Sequence, residues 1–143
     1  MILLDTSGLL AALDTSQPRH GAAAQSLAAA GPPRLLSPFV LAEIDYVLRS
    51  RVGSEAQRAL LSEVARGAYR VEPFSAGDVD VARAVMERWS SLDLDLADAS
   101  IVVLAHRHDA RDVLTLDERR FRRLRRAGGR AFRVLPADQG SIA

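Results

Sequence analysis

Ile2-Leu3-Leu4-Asp5-Thr6-Ser7 is the stretch on which the fold turns. Three consecutive apolar residues fit a short strand buried on both faces of a parallel sheet. The run stops at a carboxylate, and Asp5-Thr6-Ser7 can cap a helix over Gly8–Leu13. Asp5 would then stand at the carboxyl end of a strand, the edge at which open α/β sheets bind ligands. A plain helix cap accounts for Asp5 equally well.

The same alternation continues along the chain. Ala22–Ala30 reads as a helix stopped by Gly31-Pro32-Pro33, and Leu35-Leu36 as a short strand. Ser37-Pro38 opens a helix to about Arg49, Gly53 breaks it, and Ser54–Arg66 forms the next. Tyr69–Phe74 reads as a strand, and Ser75 or Asp78 caps a helix to about Trp89. Asp95–His108 is expected to be helical, with Asp95 and Asp98 in capping-box spacing. Val113–Thr115 is a strand, Asp117–Arg126 a short helix and Phe132–Leu135 a last strand. Helices alternating with short apolar strands predict an α/β layered sandwich, a mostly parallel β-sheet flanked by helices. The 143 residues suit one domain, 1–143, and 48% hydrophobic residues suffice for a core.

Composition removes several kinds of chemistry. There is no Cys, hence no disulfide, thiolate metal site or catalytic thiol. All 19 basic residues are Arg, so no Lys is present for a Schiff base or a P-loop. No apolar run is long enough to cross a membrane, and the N-terminus lacks the basic and apolar regions of a secretory signal. The expected location is cytoplasmic. The net charge of +1 conceals an asymmetry: residues 1–98 carry −4 and residues 99–143 carry +5.

Four carboxylates fall in places where solvation alone does not explain them. Asp5 and Asp117 follow apolar strand runs. Glu43 lies between Phe39, Val40 and Val47 on its helix wheel, and Asp98 lies over Ile101, Val102 and Ala105. A buried carboxylate is costly unless paired or bound to metal. For Glu43 the other reading is a salt bridge to an Arg. For Asp98 it is a favourable place at a helix N-terminus. For Asp117 it is a helix cap. Asp95 reads first as a cap and second as a helper, and Asp45 as a solvated surface acid. If central parallel strands bring all four to one edge, their mutual repulsion calls for a hard cation, and all-oxygen ligation suits Mg²⁺ or Mn²⁺. Such ions assist phosphodiester hydrolysis without His. His20, His106 and His108 are expected at the surface.

These segments resemble the PIN-domain family, specifically VapC-type ribonuclease toxins of type II toxin–antitoxin pairs. Ile2-Leu3-Leu4-Asp5-Thr6-Ser7 is similar to the family's opening strand and first acid. Ser37-Pro38 through Leu41-Ala42-Glu43 resembles the segment of the second acid. Leu94-Asp95-Leu96-Ala97-Asp98-Ala99 resembles that of the third, and Leu114-Thr115-Leu116-Asp117, followed by Phe121, that of the fourth. The resemblance implies a PIN-like three-layer fold, a Mg²⁺-dependent endoribonuclease, homodimerisation and inhibition by a VapB-type antitoxin. It implies that Asp5 and Asp98 are principal metal ligands, that Glu43 and Asp117 complete the pocket, and that Thr6, Ser7 and Thr115 support the acids by hydrogen bonds.

Beside Asp117, the segment Glu118–Arg126 places six Arg around Phe121 and Leu124. The apolar pair can anchor one helix face while Arg119, Arg120, Arg122 and Arg123 fan outward to RNA phosphates. A solvated helix face is the plainer reading. Three other functions compete. A receiver or haloacid-dehalogenase phosphatase is disfavoured by the missing Lys and by Ser7 where a second acid is needed. A catalytically silent binding module would retain the fold without turnover. A metal-dependent DNase or flap-type nuclease shares the same chemistry.

Overall fold

The computed structural model describes residues 1–140. The apolar opening becomes β1 (Ile2–Leu4), whose side chains are at most 1% exposed. The chain continues through α1 (Thr6–Leu13), α2 (His20–Ala29), β2 (Arg34–Leu36), α3 (Pro38–Arg51), α4 (Ser54–Ala65) and β3 (Arg70–Val71). Then follow α5 (Ala76–Arg88), α6 (Leu96–His108), β4 (Asp112–Leu114), α7 (Glu118–Phe121) and β5 (Arg133–Leu135). Among the described residues no helix is long and apolar enough to cross a membrane.

The five strands form one sheet in the order β3-β2-β1-β4-β5, with every neighbouring pair parallel. Leu3 is opposite Leu35 on one side and Val113 on the other, so β1 is buried between two partners. The chain first adds β2 and β3 on one side of β1, then returns to add β4 and β5 on the other. The order therefore reverses between β1 and β4. Just beyond their carboxyl ends is the crevice where such sheets bind ligands. The flanking helices form two groups, α1–α4 in mutual contact and α5 against α6. For parallel strands in this order, the right-handed crossover rule places these groups on opposite faces of the sheet.

Local chemistry sets the helix starts. Ser37 Oγ accepts the Phe39 N–H and Pro38 occupies the first turn, so α3 begins where β2 ends. Ser75 with Asp78, and Asp95 with Asp98, form reciprocal capping boxes at α5 and α6. Gly8 makes the closest approach: a Cβ there would lie 2.4 Å from the Leu114 carbonyl, so only glycine lets α1 press against the end of β4.

Three sequence expectations need correction. The strand expected over Tyr69–Phe74 is only Arg70–Val71. β3 is an edge strand, and Pro73 cannot donate to a ladder. The helix expected over Asp117–Arg126 ends at Phe121. Arg125 Nη1 donates to the carbonyls of Arg122, Arg123 and Leu124, giving that backbone acceptors' partners without a continued helix. Phe121 and Leu124 are both fully buried, and Phe121 packs edge-on against Phe132 at 5.7 Å. His108 is not a plain surface residue. It contacts the buried carboxylate of Glu72, which also pairs with Arg70 at 3.1 Å.

Candidate active site

Of the four acids, Asp5 is the most deeply buried, with 6% exposure. It begins α1 but its side chain makes no capping hydrogen bond. Its Oδ2 instead accepts from Thr115 Oγ at 2.6 Å and from Ser7 Oγ at 3.1 Å. Each hydroxyl spends its one proton on Asp5 and accepts a backbone N–H from the β4–α7 turn. Thr115 Oγ receives the Asp117 N–H and Ser7 Oγ the Leu116 N–H. Two small hydroxyls thus hold the first acid and shape the turn that carries the fourth. Among the described residues, no cationic side chain pairs with Asp5. Burial pushes its carboxyl above the usual carboxylate range, the hydrogen bonds from Thr115, Ser7 and the Thr6 backbone oppose that, and the charge of Asp117 adds to it.

Asp98 comes from the first turn of α6. Its Oδ2 accepts the Asp95 N–H at 3.1 Å, and Asp95 Oδ1 accepts the Asp98 N–H at 2.8 Å. Asp95 is therefore both cap and neighbour. Burial, reinforced by the charges of Asp95 and Asp5, raises the Asp98 carboxyl to about 7 despite the Asp95 N–H. Glu43 lies on α3, half-buried, and accepts from Thr6 Oγ at 2.7 Å. Asp117 accepts from the backbone N–H of Arg120 at 3.1 Å and from its Nη1 at 2.9 Å.

The four acids thus surround one edge of the sheet, each held by its own neighbours. Among the described residues no three of them stand as a ready-made ligand set. A cleft of about 350 Å³ opens over Asp5, Thr6, Ser7 and Asp117, walled by Leu10, Val47 and Leu116. Gln17 and Arg51 also line it; no local pattern singles them out, because they come from the loop after α1 and the far end of α3. The donor set suits a divalent ion. Asp5 and Asp98 are oxygen-only donors that burial and neighbouring carboxylates push toward protonation, and a hard cation would favour their ionised forms.

The Arg-rich segment divides into two sets. Arg120 is bound to Asp117, and Arg122 to Asp138 and Glu118. Arg126 is buried and donates to the Ala131 carbonyl. Arg119 and Arg123 are exposed and, among the described residues, have no ion pair. Of the four arginines expected to fan outward, Arg119, Arg122 and Arg123 are exposed, and Arg122 is ion-paired there.

Comparison with known proteins follows the same lines. The family model described as PIN domain matches residues 2–127. The chain is 38% identical over 135 residues to Ribonuclease VapC26 of Mycobacterium tuberculosis (strain ATCC 25618 / H37Rv), covering 94% of this chain and 100% of that protein. The fold is similar to the crystal structure of Mycobacterium tuberculosis VapC20, described as a Sarcin-Ricin loop cleaving toxin. The TM-score there is 0.76 at 25% identity, over 82% of this chain and 90% of that one. FitAcB from Neisseria gonorrhoeae matches with a TM-score of 0.57 over 76% of this chain and 83% of that one; at 20% identity this likeness concerns the fold alone.

Proposed function

The chain belongs to the PIN-domain family, with VapC-type ribonucleases among its relatives, and on that premise we propose that it is an endoribonuclease that hydrolyses RNA phosphodiesters with a bound Mg²⁺ or Mn²⁺ and serves as the toxin of a toxin–antitoxin pair. The observation that carries this reading is the pair Asp5 and Asp98. Both are pushed toward protonation at the one crevice the strand order creates, and Asp5 has no cationic partner among the described residues. A hydrolase that needed only structure there would do better with neutral groups.

In this reading Asp5 and Asp98 hold the ion. When bound, the ion supplies a Lewis acid that favours attack of water on phosphorus and departure of the sugar oxygen. Ser7 and Thr115 fix the Asp5 carboxylate, so that it meets the ion without rotating. Glu43, oriented by Thr6, and Asp117, oriented by Arg120, complete the acidic pocket and orient water by hydrogen bonds. Arg51 on the cleft wall and the exposed Arg119 and Arg123 offset the repulsion between these acids and RNA phosphates. The partners in this reading are RNA, a VapB-type antitoxin and a second copy of the chain. The exposed Tyr46 and its neighbour Val47 border Thr6 and Glu43, giving an inhibitory chain an apolar place to lie beside the acids.

The test is cleavage of a structured RNA pool by purified protein with Mg²⁺ or Mn²⁺, with excess EDTA, and by Asp98→Asn. Cuts that require both the metal and Asp98 are expected. Unchanged cutting in EDTA, or by folded Asp98→Asn, would sink the metal reading. Cleavage of matched DNA but not RNA would replace the substrate.

A further inference from the structure

Arg120 occupies a place that neither phosphate binding nor surface solvation accounts for. Its Nε donates to the Leu92 carbonyl at 2.8 Å, and its Nη2 makes a longer contact of 3.4 Å with the Asp93 carbonyl. Its Nη1 donates to Asp117 Oδ2 at 2.9 Å, while its own backbone N–H reaches Asp117 Oδ1 at 3.1 Å. One guanidinium therefore joins two turns that are remote in sequence. The first, Leu92–Asp93, leads into the capping box of Asp95 and Asp98; Asp93 there has a left-handed backbone, φ 51°. The second carries Thr115 and Asp117, and Thr115 holds Asp5. The charges of Asp117, Asp98 and Asp93 all bear on the same guanidinium.

We propose that Arg120 is a positioning residue that clamps the turn before α6 to the turn after β4, and so sets the separation at which Asp98 and Asp117 face a shared divalent ion. This deepens the metal-dependent reading and rests on it. The planar fork is suited to the task. Three nitrogens directed at two backbone carbonyls and a carboxylate fix distance and orientation, which a Lys ammonium on one flexible stem cannot do. Arg120 does not itself touch substrate or metal in this account.

The sign of its effect on metal affinity separates the clamp from simple charge. A cation beside a metal site repels the metal, so neutralising Arg120 would tighten binding if charge were its only contribution. Loss of an orienting partner outside the ligands weakens binding, by about tenfold or more. The experiment is calorimetric titration of Mn²⁺ into the parent protein, Arg120→Gln and Arg120→Lys. Hydrogen exchange and thermal melting of each serve as measures of fold. The clamp requires that both variants lose about tenfold in Mn²⁺ affinity. It also requires that the amides of Asp95 and Asp117 lose protection together while α5 keeps its own. Arg120→Lys retains the charge and tests the geometry should Arg120→Gln fold poorly. Equal or tighter Mn²⁺ binding in folded Arg120→Gln, or full affinity in Arg120→Lys, would overturn the clamp alone. Absence of Mn²⁺ binding by the parent protein would remove the metal reading and the clamp with it.

Discussion

At the scale of single residues, the acids are held by unlike means and should respond differently to substitution. Thr115→Val removes the shortest hydrogen bond to Asp5 and leaves the Asp117 N–H without its acceptor. We expect a loss of about 1–3 kcal/mol in stability, measured by denaturant unfolding, and weaker metal binding. Asp98 gives a pH signature. Its carboxyl is raised to about 7 in the metal-free fold, above the ordinary value of 3.8. The neutral form therefore favours folding. That contribution is complete below about pH 4 and is lost as the pH rises through 7. Metal-free Asp98→Asn should match the parent at low pH and exceed it at pH 8. Solvent screening of this half-exposed group limits the gain to about 1–2 kcal/mol. Thermal melts from pH 4 to 8 measure this. Loss of the parent's deficit at pH 8 would show that Asp98 is ionised without penalty. Metal binding must displace the same proton, so Mn²⁺ affinity should fall as the pH drops below 7. Arg119→Ala and Arg123→Ala should each weaken RNA binding and flatten its salt dependence by about one phosphate contact, without altering metal affinity.

At the scale of elements, the site depends on how closely α1 approaches β4. Gly8→Ala would drive a methyl group into the Leu114 carbonyl and the Thr115 nitrogen, both backbone atoms that cannot swing aside. Relief requires α1 to lift, which would carry Asp5 and Ser7 away from Thr115. The expected result is a loss of about 1–3 kcal/mol in stability together with loss of metal binding. Unfolding measurements and calorimetry on one preparation test both parts, and a fully stable Gly8→Ala protein would refute the close contact. The start of α6 illustrates a different relation. The spacing of Asp95 and Asp98 announced a capping box, and the box is present. The charge of Asp5 also acts on Asp98, so one residue serves the helix and belongs to the acidic edge.

At the scale of the molecule, the proposed site draws on β1, α3, α6 and the turn after β4, so an ion held there would be coupled to the whole fold. A ligand that binds only the folded chain stabilises it by about 2.7 kcal/mol at a hundred times its dissociation constant. Mn²⁺ should therefore raise the melting temperature, EDTA should reverse the rise, and Asp5→Asn should abolish it. A melting temperature indifferent to Mn²⁺ in the parent would argue against an ion held at this edge. The separation of charge is also a property of the whole. The basic C-terminal third, with its net charge of +5, spends much of its positive charge on Asp117, Glu118, Asp138, Asp109 and Asp112.

The amino-acid order alone determined the alternation of strands and helices, because apolar runs, caps and breakers act over a few residues. It also marked Asp5, Glu43, Asp98 and Asp117 as acids whose positions solvation does not explain. Three matters were decided only in three dimensions. The reversal of strand order between β1 and β4 put Asp5 and Thr115 in contact, and no local pattern records which strands become neighbours. Burial of Glu72 against His108 arose from side chains far apart in the chain, and the early end of α7 from Arg125 folding back onto the carbonyls of Arg122, Arg123 and Leu124. The division of the arginines into structural and free was equally invisible, since Arg120 and Arg119 are adjacent in the chain. They differ only in what lies within reach of each guanidinium, a matter of distance through space and not of sequence.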